Sequence, residues 1–199
     1  MKKEKLKRKQ ERLANKIILK DSFKDFKYVG GCSFIFYKNK IIAAIVVVNK
    51  KMEIVERRSS ICKEKFKYTP GFFAFSVLRS VKYAWKKLKI KPDVLIFNAH
   101  GILHPRKCGL ASHFGIELGI PTIGVAKKLL CGKAKGNFIY LKGEKCGFKI
   151  GRLFVSQGHK ISLRTSIKIV KKFLKDSLPE PIKLSKLYAR EILRQKKFK

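Results

Sequence analysis

Cysteine and histidine side chains are the groups in this sequence that could bind a soft metal ion or attack a substrate. The five cysteines contain no C-x-x-C pair and their number is odd, which is typical of neither a zinc ribbon nor a disulfide framework. We therefore expect reduced thiols and an intracellular, cytoplasmic protein. The cysteines are Cys32, Cys62, Cys108, Cys131 and Cys146.

Two of the four histidines lie in one loop, Asn98 to Cys108, which also contains glycine and proline. A short apolar run, Val94–Phe97, predicts a buried strand immediately before this loop. A helix near Cys108–Leu118 and a strand over Pro121–Ala126 are predicted after it. The loop is therefore expected to lie at the end of a buried strand, where loops commonly carry functional groups.

The segments before this loop alternate between strand and helix patterns. Period-two alternation predicts strands over Tyr28–Tyr37, Lys40–Asn49 and Met52–Arg58, and their short polar connections favour antiparallel neighbours. Apolar residues spaced three and four apart predict a helix from Pro70-Gly71 to about Leu88.

The two ends of the chain are basic and predicted to be helical, over 2–22, Ser162–Leu174 and Ile182–Phe198. Between the core strands and the C-terminal helices, a β-hairpin is predicted within Phe138–Val155. The element order predicts one α/β domain with a mixed sheet, three antiparallel strands followed by parallel strands, in ribonuclease H-like order. The predicted divisions are a basic N-terminal helical arm (1–27), a core (28–165) and basic C-terminal helices (166–199).

The composition favours a folded protein that binds polyanions. The 199 residues carry a formal net charge of +36, and 45% of them are hydrophobic. Such a chain can form a core, which excludes wholesale disorder, and its charge excludes an ordinary metabolic enzyme surface. Nucleic acid is the expected partner. A membrane-spanning segment is not expected, because the longest apolar run, Ile41–Val48, is too short.

Several motifs resemble those of one nuclease family. The stretch from Asn98 to Gly132 contains HPRKCGLASHFG followed by PTIGVAKKLLCG. Three further segments occur in the matching order: VGGCS, YTPGFFAF at Tyr68–Phe75, and SQGHKIS at Ser156–Ser162. Over roughly residues 28–165 the chain therefore resembles the endonuclease V family, the deoxyinosine 3′ endonucleases.

The resemblance implies a ribonuclease H-like fold and recognition of hypoxanthine, the base of inosine, in DNA or RNA. Members of the family cut the second phosphodiester 3′ to inosine and use Mg²⁺ held by carboxylates. Oxygen ligands suit this ion, which polarises the phosphoryl oxygen and lowers the pKa of the attacking water.

The resemblance places the three metal-binding carboxylates at positions that are Cys32, Val77 and Asn98 in this sequence. The family's catalytic histidine and lysine are retained as His159 and Lys127. We find no replacement cluster among the acidic residues of the core, because most adjoin basic residues or lie at the far end of a strand. These acidic residues are Glu53, Glu56, Glu64, Asp93, Glu117 and Glu144.

Two interpretations of the replaced positions remain open. Val77 falls in the apolar stripe of its helix and Cys32 is expected to be a small buried thiol, so the Mg²⁺ site would simply be lost and no cofactor is predicted. Alternatively, Cys32, Asn98 and His159, with His100 nearby, offer sulfur and imidazole ligands that would suit Zn²⁺ better than Mg²⁺.

Base recognition is better retained than the catalytic centre. By resemblance, Tyr68, Thr69 and Pro70 form the wedge that enters the nucleic acid and helps expel the base. Arg106, Lys107 and Lys128 are candidate phosphate contacts. The expected base pocket comprises Gly71, Phe73, Ala99, Gly101, Gly109, Leu110 and Leu130.

The sequence thus predicts an endonuclease V-like protein that binds inosine in DNA or RNA and has lost, or nearly lost, Mg²⁺-dependent cleavage. One alternative is an active deoxyinosine 3′ endonuclease with an atypical metal site. A second alternative is a basic structural protein of a ribonucleoprotein, in which charge alone provides binding.

Overall fold

The centre of the fold is a set of strands that contains both antiparallel and parallel neighbours. The computed structural model describes residues 2–197, and all structural statements refer to these residues. Strand β1 (Tyr28–Tyr37) pairs antiparallel with β2 (Lys40–Asn49), which pairs antiparallel with β3 (Ile54–Lys63). On its other side β1 pairs parallel with β4 (Val94–Phe97), and β4 pairs parallel with β5 (Thr122–Ala126). This arrangement confirms the predicted mixed sheet.

An antiparallel meander extends the sheet beyond β5. Its strands are β6 (Lys133–Lys135), β7 (Phe138–Leu141), β8 (Glu144–Ile150) and β9 (Leu153–His159), and β9 pairs antiparallel with β5. In the described part of the chain the order is β3-β2-β1-β4-β5-β9-β8-β7-β6. The predicted hairpin over Phe138–Val155 is therefore part of a larger four-stranded extension.

Helices cover both faces of this sheet. On one face α2 (Phe73–Lys87) and α3 (Leu110–Leu118) pack over β1, β2 and β4. On the other, α4 (Leu163–Phe173) and α5 (Glu180–Lys197) pack over the same sheet. The two-residue strands β10 (Leu174–Lys175) and β11 (Leu178–Pro179) connect α4 to α5, and the N-terminal helix α1 (Lys2–Ala14) lies against α3.

Alternation along β1 divides its side chains between the two layers. Cys32 is fully buried against α2, whereas Val29 is fully buried in the layer that contains Ile182 of α5. Ser33, also on the α5 side, accepts a hydrogen bond from the Ser185 hydroxyl at 2.8 Å. Burial on both faces also explains why β2 is apolar throughout, from Ile41 to Val48.

The N-terminal helix is shorter than predicted. The sequence pattern predicts a helix over 2–22, but α1 ends at Ala14. The following segment is held instead by the end of β9, because the Ile18 N–H donates to His159 Nδ1 and the Ile18 carbonyl accepts from the Lys160 N–H. Tertiary hydrogen bonds thus override local helix propensity here.

Two other boundaries differ from the sequence prediction for local reasons. Helix α2 begins at Phe73 and not at Pro70, because Gly71 has a φ of 76° and the Phe72 N–H closes a turn onto the Thr69 carbonyl. Strand β3 begins at Ile54, after a turn in which Met52 has a φ of 69°.

The outermost residues of the predicted terminal segments, Met1, Phe198 and Lys199, lie outside the described residues. Within residues 2–197, we find no helix that is both long and apolar enough to span a membrane.

The close packing of α5 on β1 can be tested with two neighbouring glycines. A Cβ on Gly31 would overlap the Pro181 carbonyl at the start of α5, whereas a Cβ on Gly30 would meet side-chain carbons, Leu95 Cδ1 at 2.7 Å and Pro92 Cγ at 2.8 Å. We expect Gly31→Ala to lower the free energy of unfolding by about 3 kcal/mol and Gly30→Ala by about 1 kcal/mol. Urea unfolding measures both, and equal losses would contradict the packing described.

Candidate functional site

The three positions at which the resemblance predicts metal-binding carboxylates meet at one edge of the sheet. Cys32 of β1 lies opposite Phe97, the last residue of β4, and the Asn98 N–H donates to the Cys32 carbonyl at 3.1 Å. Val77 of α2 is fully buried in the same cluster as Cys32. The fold therefore brings these positions together although 66 residues separate Cys32 from Asn98 in sequence.

These side chains do not fit a Mg²⁺ ion. Burial raises the pKa of the Cys32 thiol, which keeps it protonated, and Val77 has no donor atom. Asn98 supplies at most one neutral carbonyl oxygen, whereas Mg²⁺ prefers octahedral oxygen coordination with carboxylates. Among residues 2–197 no three His, Cys, Asp or Glu side chains are grouped closely enough to hold a metal.

The two residues predicted to be retained from the family's catalytic centre, Lys127 and His159, lie in different places. Lys127 is exposed directly after β5, at the same edge as Asn98. His159 pairs with Thr122 at the opposite end of β5. Thr122 is in register with Leu95, three residues before Asn98, so His159 is displaced from Asn98 by roughly 10 Å along the strand direction. Because His159 lies so far from Cys32 and Asn98, the hypothesis of a zinc site formed by these residues and His100 is wrong.

A pocket of about 230 Å³ opens beside Asn98. Its wall comes from the end of β4, the loop that follows it, the start of α3 and the turn before α2. Six of the seven predicted pocket residues line it, and Gly101 does not. Gly101 lies behind the wall, where its N–H donates to Ser156 Oγ at 3.0 Å and its Cα faces the Gln157 carbonyl. The six lining residues are Gly71, Phe73, Ala99, Gly109, Leu110 and Leu130.

One backbone carbonyl connects three parts of the pocket wall. The Gly71 carbonyl, in the turn after the predicted wedge, accepts from Arg106 Nη2 at 2.5 Å, His104 Nε2 at 3.1 Å and Gln10 Nε2 at 3.2 Å. Gln10 also donates to the Cys108 carbonyl and accepts from Arg106 Nε at 2.7 Å. Helix α1, the wedge turn and the loop before α3 are therefore held together at this carbonyl.

His104 is held as a neutral imidazole by its two partners. Its Nε2 faces the Gly71 carbonyl, which only accepts, and its Nδ1 accepts from the Arg106 N–H at 3.2 Å. Burial, followed by the nearby positive charge of Arg106, lowers the pKa of His104 to about 4. A second proton would have to replace the acceptor that the Arg106 N–H requires.

His100 also lines the pocket and has a defined tautomer. Its Nε2 lies 2.9 Å from the Lys128 carbonyl, so Nε2 carries the hydrogen and Nδ1 is an acceptor. Nδ1 is buried and has no hydrogen-bond partner among the described residues. Burial lowers the pKa of His100, which favours the neutral form.

The three candidate phosphate contacts have different surroundings. Arg106 bonds to Gln10 and Gly71 and stacks 4.5 Å from the centre of the Phe72 ring, so its guanidinium serves the pocket wall. Lys107 pairs with Glu144 at 2.7 Å. Lys128 is exposed next to Lys127 at the edge of the sheet.

Sequence reasoning missed several residues of this pocket, among them Gln10 and Phe34. Gln10 is 1% exposed and Phe34 lies two positions after Cys32 on the same face of β1, and both line the pocket. Gln10 continues the apolar stripe of Leu6 and Leu13 in an otherwise lysine-rich helix. An uncharged polar residue at such a position was the available signal for a buried hydrogen-bonding role.

The sheet, its two helical layers and the pocket at the strand ends define a ribonuclease H-like α/β protein. A family model described as Endonuclease V matches residues 11–187. The endonuclease V of Dictyoglomus turgidum is 46% identical over 175 residues, which cover 80% of this chain and 77% of that protein. The endonuclease V of Dictyoglomus thermophilum is 43% identical with the same coverage. The chain belongs to the endonuclease V family.

Solved structures show the same fold. Endonuclease V of Ciona intestinalis, in complex with a 24mer DNA containing an inosine followed by a ribo-adenosine, superposes with a TM-score of 0.89. It is 29% identical, and the match covers 98% of each chain. The catalytic domain of human endonuclease V gives a TM-score of 0.87 at 25% identity and covers 96% of this chain and 95% of that one.

The neutral state of His104 predicts a pH dependence of stability. Its pKa in the folded protein lies below the ordinary value of 6.5, so its contribution is complete above pH 6.5 and is lost as the pH falls toward 4. Between pH 6.5 and pH 5 we expect a loss of about 2 kcal/mol from this group. In His104→Gln, which keeps a neutral donor for Gly71, urea unfolding should show a correspondingly smaller change. An unchanged pH dependence would contradict the assignment.

Truncation of Gln10 tests the wall of the pocket. Gln10→Ala leaves the partly buried Arg106 Nε and the Cys108 carbonyl without this partner, so we expect the free energy of unfolding to fall by about 2 kcal/mol. Lys7→Ala, at an exposed position on the same helix, should change it by less than about 0.5 kcal/mol. Similar losses in both variants would show that Gln10 has no special role.

Proposed function

We propose that this chain binds inosine in nucleic acid and does not cleave it by a Mg²⁺-dependent route. The family consists of deoxyinosine-recognising nucleases. The observation that carries the proposal is a contrast at one edge of the sheet. A pocket of about 230 Å³ is present there, and beside it stand Cys32, Val77 and Asn98 in place of carboxylates.

The walls of the pocket suit a flat purine base. Phe73 and Leu110 provide apolar surface, and Gly71 and Gly109 allow the backbone to come close. A Cβ on Gly109 would overlap the carbonyl of His100, so only glycine fits at this position. The base would enter after being turned out of its stack, with Tyr68, Thr69 and Pro70 acting as the wedge.

His100 offers a physical basis for preferring inosine to adenosine. Nδ1 is buried and has no partner among the described residues, and we propose that it accepts a hydrogen bond from N1–H of hypoxanthine when the base is bound. Adenine has an unprotonated N1, so the same contact would place two acceptors together. A buried acceptor that stays unpaired makes the free energy of binding less favourable, so adenine should bind less tightly than hypoxanthine.

The charge of the chain supports binding to the phosphate backbone. Lys127 and Lys128 are exposed at the edge of the sheet beside the pocket, within a protein of net charge +36. Lysines at such positions contribute affinity without base preference and make binding dependent on salt. Lys127, which lies in the GVAKK motif, is proposed as a phosphate contact in place of a catalytic role.

Titration of fluorescent oligonucleotides that differ only in one central inosine or adenosine tests the proposal. We expect the inosine strand to bind about tenfold more tightly at matched salt. His100→Ala should remove this preference and keep the salt dependence. Lys127→Gln should weaken binding to both strands equally and reduce the slope of log Kd against log salt concentration by about one.

A cleavage assay on the same end-labelled strands, with Mg²⁺ or Mn²⁺ and with chelator, completes the test. We expect no product from the natural chain. A product one nucleotide beyond inosine that chelator abolishes would instead establish an active endonuclease with an atypical metal site. Equal affinity for both strands with a steep salt dependence would establish a basic structural protein of a ribonucleoprotein.

A further inference from the structure

A row of side chains on β1 runs from the replaced catalytic position to the surface. Cys32, Phe34 and Phe36 alternate along the strand and therefore point to the same face of the sheet. Cys32 is fully buried, Phe34 is half-buried and Phe36 is 40% exposed.

Two further aromatic residues, Phe73 and Tyr68, extend this row, and the ring of Phe73 contacts the other three rings. The Phe73 ring lies 5.0 Å from Phe34, 6.0 Å from Phe36 and 5.7 Å from Tyr68, measured between ring centres. Tyr68 is 59% exposed. Phe34, Tyr68 and Phe73 line the pocket, whereas Phe36 lies beyond its lining. These four residues, here termed the aromatic strip, form a continuous path from the pocket to the outer surface.

Exposed lysines lie close in sequence to the residues at the outer end of the aromatic strip. Lys38 follows Phe36 by two residues, and Lys67 directly precedes Tyr68. The one acidic residue of this segment, Glu64, accepts a hydrogen bond from the Tyr68 N–H. The exposed lysines next to Phe36 and Tyr68 are Lys38, Lys65 and Lys67, whereas Lys40 and Lys63 lie on the opposite face of the sheet.

Resting on the proposed function, we propose that the aromatic strip binds unpaired bases next to the inosine, so that the preferred partner is single-stranded nucleic acid. Exposed rings bordered by lysines are the arrangement on which successive bases of a single strand stack. Bases within a duplex are already stacked on each other and cannot lie on these rings. The lysine border favours a polyanion over an apolar protein segment as the occupant.

The region that the resemblance assigns to the catalytic centre would then have a binding role. The resemblance assigns a metal ligand to strand β1. In this chain β1 instead carries the buried thiol of Cys32, followed by the rings of Phe34 and Phe36, which are increasingly exposed. A base resting on Phe36 or Tyr68 would be held beside the pocket without any contact to a metal ion. Affinity would come from the neighbours of inosine as well as from inosine itself.

Three fluorescent single strands of equal length test this inference by anisotropy. The first contains one central inosine, the second has adenosine in its place, and the third keeps inosine but has abasic sites at the two positions on each side. Loss of stacking should weaken binding of Phe36→Ala to the first strand about tenfold. On the third strand, the natural chain and Phe36→Ala should bind equally, because the bases that would contact Phe36 are gone.

Leu187→Ala is the matched control, since Leu187 is 50% exposed on α5 and lies outside the aromatic strip. It should bind all three strands as the natural chain does. The inference is overturned if Phe36→Ala binds the first strand normally, or if it is equally weakened on the first and third strands. Failure of the proposed function has a different signature, which is equal affinity of the natural chain for the first and second strands.

A duplex form of the first strand provides the final comparison. We expect it to bind more weakly than the single strand, and Phe36→Ala should reduce this difference. Tighter binding of the duplex would also overturn the inference. Thermal unfolding of Phe36→Ala close to that of the natural chain would show that altered binding does not reflect loss of the fold.

Discussion

Burial of β1 on both faces is the constraint on which the rest of this structure depends. The strand pairs with β2 and β4, packs against α2 on one side, and approaches α5 so closely that Gly31 has no space for a side chain. A carboxylate at position 32 would be isolated in an apolar interior unless a cation compensated it. A protonated thiol at that position needs no such compensation.

The side chains at the two neighbouring positions are compatible with a protonated thiol at position 32. Val77 packs in the cluster that contains Cys32, and Asn98 keeps a polar side chain at the edge where β4 ends. Without carboxylates, a divalent ion would no longer reduce the electrostatic repulsion of a bound phosphate at this edge. The pocket relies on different elements, since its wall is formed mainly by loops gathered around the Gly71 carbonyl.

Local patterns predicted β1 and β2 with their observed bounds, because period-two alternation and short turns determine both. They failed where distant groups decide the structure, as at Ile18, whose partners are His159 and Lys160. The motifs located most of the pocket lining. They did not reveal Gln10, because its role depends on loops far away in sequence. They also did not reveal that Arg106, a predicted phosphate contact, bonds to Gln10 and to the Gly71 carbonyl within the protein.

The contacts of Gln10 also have a consequence for synthesis on the ribosome. Gln10 and Cys108, which it bonds, are 98 residues apart, so the N-terminal helix emerges long before the loop that completes its environment. At typical translation speeds of about 5 to 20 residues per second, this interval lasts several seconds. During that time the lysine-rich helix has no pocket wall to join, and the nearby ribosomal RNA is a polyanion that it can contact first.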